Sequence, residues 1–192
     1  MSKPSRIIAG MVWMLLCTGL CHAGDWPQWR GPERSGQTAE RDLPLTWNGT
    51  TGENVQWKVE ADFGHSSPIV SDGRLYLSAS VRRQPKKSDQ LAANHLHRIV
   101  CYKAADGAKV WQTDIEPGSW DTEFSFTSAT PLTDGERVYA LFGSATIAAV
   151  DLDGKLVWQQ KLPGPFKPEW LSSSPNLHED TLFVFVDVSS DV

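Results

Sequence analysis

The sequence predicts an all-β protein built from repeated four-stranded antiparallel units, and three observations predict it. The phrase Asp-Gly-Ala-Lys-Val-Trp-Gln at 106–112 is echoed by Asp-Gly-Lys-Leu-Val-Trp-Gln at 153–159. Three prolines, Pro68, Pro131 and Pro175, carry the same surroundings. An aliphatic–aromatic pair follows each at positions seven and eight (Leu75-Tyr76, Val138-Tyr139, Leu182-Phe183). An aromatic stands five positions before (Phe63, Phe126, Trp170), and a hydroxyl immediately before (Ser67, Thr130, Ser174). Third, no stretch after residue 23 shows apolar residues at helical spacing over a useful length.

The chain opens on something other than this fold. Lys3 and Arg6 precede an apolar run from Ile7 to Leu20, and Cys-His-Ala follows at 21–23. That is the order and length of a secretory signal, with cleavage expected near Ala23 and a secreted or periplasmic destination. The run is shorter than the roughly 20 residues of a membrane-spanning helix. Neither Cys17 nor Cys21 follows a small residue, so lipid attachment is not expected. The formal charge of −5 becomes more acidic once Lys3 and Arg6 leave, which argues against nucleic acid as the main partner. Only Cys101 remains after cleavage, so no intrachain disulfide is available and stability must come from packing.

The mature chain begins with a segment, 24–62, that holds one Trp strand, Asn-Val-Gln-Trp-Lys-Val-Glu at 54–60, with no partner strand before it. The first full unit covers 63–115. Arg74–Ala79 is rich in β-branched and aromatic residues, and Asp72-Gly73 just upstream is a hairpin signal, because Gly accepts positive φ. Residues 97–115 then give strand, turn, strand, the last carrying Trp111. The second unit, 126–162, repeats this with Asp134-Gly135, the strand at 137–142, and 146–162 carrying Trp158. The third, 170–192, offers Thr-Leu-Phe-Val-Phe-Val at 181–186 but has His-Glu-Asp at 178–180, so its turn is expected to differ. Four-stranded units repeating at this spacing describe β-propeller blades. A blade has two apolar faces and buries both only by stacking on neighbours, which is why the Trp strand recurs. A β-sandwich gives no reason for the repeated Asp-Gly-to-Trp spacing. About two and a half blades are present where propellers have four to eight, so an incomplete propeller, the N-terminal part of a longer chain, is expected.

The form Asp-Gly followed by Trp, carried by Asp106-Gly107 with Trp111 and by Asp153-Gly154 with Trp158, resembles the tryptophan-docking repeat of the PQQ-like (quinoprotein-type) β-propeller family. Both copies lack the Thr that usually precedes the Gly there. Trp-Pro-Gln-Trp-Arg-Gly-Pro at 26–32 is similar to the mature start of secreted members of this family from Planctomycetes-type bacteria. The resemblance implies that Trp111 and Trp158 tie adjacent blades together, and Trp57 stands in the same kind of strand. It also implies two functional classes. One is a non-catalytic extracytoplasmic platform for a protein or envelope partner, as in the β-barrel assembly lipoprotein of Gram-negative envelopes. The other is a dehydrogenase holding PQQ and calcium over the channel. The enzymes of that second class have an adjacent cysteine pair, which this chain lacks. The expectation is therefore the platform, with no cofactor and no catalytic residue assigned.

Candidate contacts follow from the architecture. The first strand of each blade is expected nearest the axis, so His65, Ser66, Ser67, Thr127, Ser128, Thr130, Ser172 and Ser173 are expected at the channel mouth, where they suit a polar ligand or serve crowded backbone groups. No Gly-x-Ser-x-Gly turn frames a nucleophile. His95 and His97, two apart, share a face and suit a metal, but no third ligand is evident and no metal site is assigned; His97 is expected to end a loop. Asp121 and Glu123 are the nearest acids to the second unit's first strand. The insertion at 80–95 gathers Arg82, Arg83, Lys86 and Lys87, which suits a solvated loop or an acidic partner.

Overall fold

The computed structural model describes residues 24–82, 95–117, 127–163 and 173–185. The signal segment, Arg83, Lys86, Lys87, Asp121, Glu123, Phe126, Trp170 and Ser172 lie outside the described residues, as does the end of the 181–186 strand.

The described chain is all-β, with strands β1 (Ile69–Ser71), β2 (Arg74–Arg82), β3 (His95–Lys103), β4 (Lys109–Ile115), β5 (Leu132–Thr133), β6 (Arg137–Phe142), β7 (Thr146–Asp151), β8 (Leu156–Lys161), β9 (Asn176–His178) and β10 (Thr181–Phe183). They form two four-stranded sheets, ordered β1-β2-β3-β4 and β5-β6-β7-β8, and a β9-β10 pair. All neighbours are antiparallel and consecutive. This is the blade pattern of an incomplete propeller. Residues 54–60 belong to no sheet among the described residues.

The core lies between sheets, and the period of two in a strand decides which side chain serves which neighbour. Val138, Ala140 and Phe142 of β6, with Ala148 and Val150 of β7, pack against Ile69, Tyr76, Ile99, Cys101 and Ile115 of the first sheet. The alternate residues face the third sheet: Leu141 and Ile147 meet Leu182 and Val184, while Tyr139 and Ala149 meet Leu177 and Leu182. The middle strands of the second sheet, β6 and β7, are thus buried on both faces and read as a nearly continuous apolar run.

The turns differ between the units. The first hairpin has Asp72 and Gly73 both at positive φ, 48° and 68°. The third hairpin keeps this two-residue form, pairing His178 with Thr181 and placing Glu179 at φ 50°. Only Glu179 is left-handed there, whereas both Asp72 and Gly73 are in the first hairpin, so the third turn keeps the length but has a different backbone, as the missing Gly predicts. The second hairpin is the longer one, with Asp134, Gly135 and Glu136 between β5 and β6; Asp134 Oδ1 accepts from the amides of Glu136 and Arg137 at 2.8 and 2.7 Å, which holds the extra residue.

Candidate functional site

The starts of β1, β5 and β9 converge, and the hydroxyls before the three prolines join them. Ser67 N–H donates to Thr130 Oγ1 (3.3 Å), and Thr130 N–H in turn donates to Ser174 Oγ (3.0 Å). Thr130 and Ser174 thus each accept the pre-proline amide of the preceding sheet. Around this ladder Ser66 Oγ donates to Ser78 O (2.6 Å), Ser78 Oγ to Ala129 O (3.1 Å), and Ser80 Oγ meets Thr127 Oγ1 at 2.8 Å. Thr127 and Thr130 are buried, Ser66, Ser67, Ser128 and Ser173 half-buried, and His65 exposed. His65 N–H donates to Thr127 O (2.8 Å), and its ring lies 5.7 Å from that of Phe63. Gly64 is needed beside them: a Cβ there would sit 3.2 Å from Thr127 O and 3.3 Å from Ser78 O.

The outer edge carries the second repeated geometry. Trp57 donates its indole N–H to Ala104 O at 2.8 Å, and Trp111 donates to Leu152 O at 2.8 Å. Both acceptors are the first residue past a third strand, since β3 ends at Lys103 and β7 at Asp151. The ring then covers the turn glycine. A Cβ on Gly107 would meet Trp57 at 2.6 Å, and one on Gly154 would meet Trp111 at 2.6 Å, with both glycines at positive φ. A β-bulge sets this up: Cys101 pairs with Trp111 but Tyr102 with Lys109, and Ala149 with Trp158 but Val150 with Leu156. The extra residues, Val110 and Val157, re-aim the tryptophan beside them. Tyr76 lies 5.9 Å from Trp111 and Tyr139 lies 6.1 Å from Trp158. Trp158, its neighbours Leu156 and Val157, and the whole of β8 are exposed.

His97 is the third residue of β3, not a loop end, and is fully buried. It stacks on Phe142 at 4.4 Å, and its Nε2 lies 2.7 Å from Ser144 Oγ. Ser144 Oγ–H donates to Thr146 Oγ1 (2.8 Å), which donates to Pro117 O (3.1 Å). Each hydroxyl has one proton, already spent down this chain, so Nε2 must carry the proton given to Ser144. Burial, then the charge of His95, pushes the His97 pKa down to about 3. Burial likewise pushes the Cys101 thiol up to about 11, so it remains protonated.

Neither arrangement fits a calcium-bound quinone, which needs a carboxylate-rich oxygen shell and a stacking platform. At the strand starts the described side chains are hydroxyls and the His65 ring, with no carboxylate among them, and Ser78, Ser80, Thr127, Thr130 and Ser174 are already bonded across sheets. Among the described residues no three His, Cys, Asp or Glu side chains gather as metal ligands.

The repeat, the sheets and the paired tryptophans define a class, the PQQ-like repeat β-propellers. The family model described as outer membrane protein assembly factor BamB matches residues 37–187, and the chain belongs to that family. A search of curated proteins gives no match. Among solved structures the chain is similar to BamB from Moraxella catarrhalis, at 17% identity and a TM-score of 0.46 over 68% of this chain and 37% of that one. It is also similar to a europium-containing methanol dehydrogenase, at 18% identity and a TM-score of 0.30 over 58% and 27% of the two chains. The chain therefore spans well under half the length of either structure.

Sequence reasoning missed two features. The hydroxyl ladder was visible as three pre-proline hydroxyls, but their partners lie in other sheets. The buried His97 network is signalled only by its repeat position: Ser144 lies 47 residues further on, the same spacing as the echo.

Proposed function

We propose that this chain acts outside the cytoplasm as a non-catalytic binding or assembly platform, with the signal at 1–23 directing export and cleavage falling near Ala23. The observation that carries this reading is the hydroxyl ladder. The Ser67 amide and the hydroxyls of Ser78, Ser80, Thr127, Thr130 and Ser174 spend their polar atoms on joining neighbouring sheets, which suits a rigid scaffold better than a reaction centre. A protein or envelope partner is the proposed ligand class, met through exposed aromatic and apolar side chains such as Trp29, Trp47 and Phe63, since aromatic residues dominate interface energetics. The alternative, a PQQ- and calcium-dependent dehydrogenase, is separated by one titration. PQQ with Ca²⁺ is added to the purified protein while tryptophan fluorescence is followed. The platform reading expects no saturable quenching in the micromolar range; saturable quenching that requires Ca²⁺ would reverse it.

A further inference from the structure

The motif Trp-Pro-Gln-Trp-Arg-Gly-Pro has no role in the blades themselves, yet it and its flanking residues Asp25 and Arg34 make contacts with all three described sheets. Trp26 N–H donates to Val70 O at 2.7 Å and Val70 N–H donates back to Trp26 O at 3.0 Å. That pair occupies the edge of β1 opposite β2. The next carbonyl, Pro27 O, accepts from Thr133 N–H at 2.9 Å, on the free edge of β5. Further on, Arg34 Nη2 donates to Leu177 O of β9 at 2.6 Å, across 143 positions of sequence. Upstream, Asp25 accepts from Ser71 Oγ at 3.3 Å and from Asp72 N–H at 3.1 Å. Three consecutive sheets are touched by ten residues, at the turn side of their first strands. The hydroxyl ladder lies at the opposite ends of those strands.

The segment is folded on itself to make this reach. Gly31 sits at φ 79° with Trp26 ring atoms 2.7 Å from where its Cβ would stand, so no larger residue fits between the turn and the indole. Gly36 N–H closes the loop on Arg30 O at 2.9 Å. Gln28 is the brace: its Nε2 donates to Pro32 O at 3.2 Å, and its Oε1 accepts from Arg34 Nε at 3.2 Å. The guanidinium is planar and rigid, so fixing Nε aims Nη2. A bond from a charged donor to a carbonyl is stronger than a neutral one.

We infer that residues Asp25–Arg34 form a strap that seals the first-strand edges of the three sheets, with Arg34 as its latch on the third. The strap has two consequences. Strand addition to the β1 edge is blocked while it is in place, because Val70 already spends both backbone groups on Trp26. A ligand or partner reaching the converging strands therefore comes from the hydroxyl-ladder end.

Hydrogen exchange read by mass spectrometry on the full chain tests this with two variants. Arg34→Met keeps side-chain length without the donor. It should speed exchange across 176–183 by about tenfold, the scale of one lost charged hydrogen bond, and leave Val70 protected. Gly31→Val unseats Trp26 and should expose the Val70 amide. Should Arg34→Met fail to fold, Arg34→Lys keeps the charge without the fork and should give a smaller acceleration in the same peptides. Parent-like exchange at 176–183 in the Arg34 variants, or at Val70 in Gly31→Val, would overturn the strap.

Discussion

Two glycines with the same backbone and different surroundings isolate what the interblade tryptophan contributes. Gly135 and Gly154 sit at φ 90° and 85°, so replacing either with Ala imposes the same left-handed penalty, about 1–2 kcal/mol. Around Gly135 nothing lies within 4 Å of the new Cβ. Around Gly154 the new methyl would stand 2.6 Å from Trp111 Cδ2 and 2.9 Å from Cε3 and Cγ. These are ring atoms of a rigid group, tethered by the indole N–H bond to Leu152 O and flanked by Tyr76. The ring must move by close to 1 Å to restore van der Waals distance, which breaks the hydrogen bond, worth about 1 kcal/mol, and opens part of the contact with the next sheet, worth about 1 kcal/mol more. Gly154→Ala should therefore cost about 3–4 kcal/mol against about 1–2 for Gly135→Ala. Urea unfolding followed by far-ultraviolet circular dichroism measures both. In a Trp111→Ala background the Gly154→Ala penalty should shrink to that of Gly135→Ala. Equal penalties for the two glycines in the parent would refute the claim that Trp111 presses on the following turn.

Two further outcomes follow from the same coordinates. His97 is buried neutral with its pKa pushed down to about 3, while the unfolded chain titrates near 6.5, so the unfolded state binds the proton first. Stability from this group is complete above pH 6.5 and declines between 6.5 and 3, at no more than about 1.4 kcal/mol per pH unit. His97→Phe should flatten that part of the stability profile, and an unchanged slope would exclude His97 as its source. At the ladder, Thr130→Val removes the acceptor of Ser67 N–H and should cost about 1–3 kcal/mol, whereas Thr130→Ser, which keeps the hydroxyl, should cost less than 1; equal costs in urea titration would show that the hydroxyl is not used.

The blades were legible because their grammar is local. An Asp-Gly step, a β-branched run and a tryptophan at fixed spacing each act within a few residues, and the paired sheets reproduce that order from β1 to β8. Legibility failed wherever a partner is remote. His97 looked like a loop end because Asn94 precedes it, but its environment is set by Phe142 and Ser144 on the next sheet. Arg34 gave no local sign of purpose, since its acceptor, Leu177 O, belongs to a hairpin far along the chain.

The same repeat spacing that made the tryptophans visible also explains why the polar contacts are repeated. In an assembly of stacked sheets, a side chain at one blade position meets the same neighbour in every copy, so a solution found once can be reused. Trp57 and Trp111 reach equivalent turn carbonyls, and Ser67 and Thr130 donate to equivalent hydroxyls. The tryptophans act at the outer edge and the hydroxyls at the converging strands. Between them the apolar core has no directional preference, because hydrophobic contact is satisfied by many offsets. Two directional bonds at opposite ends of each sheet remove that freedom and fix both slide and rotation. The strap adds a third constraint where the repeat itself provides none, on the free edges of β1 and β5 and at β9. Under the proposed platform reading, the first two sheets, held at both ends, are rigid before a partner arrives. On that reading, ordering costs on binding would fall mainly on the partner, as expected of a preorganised platform.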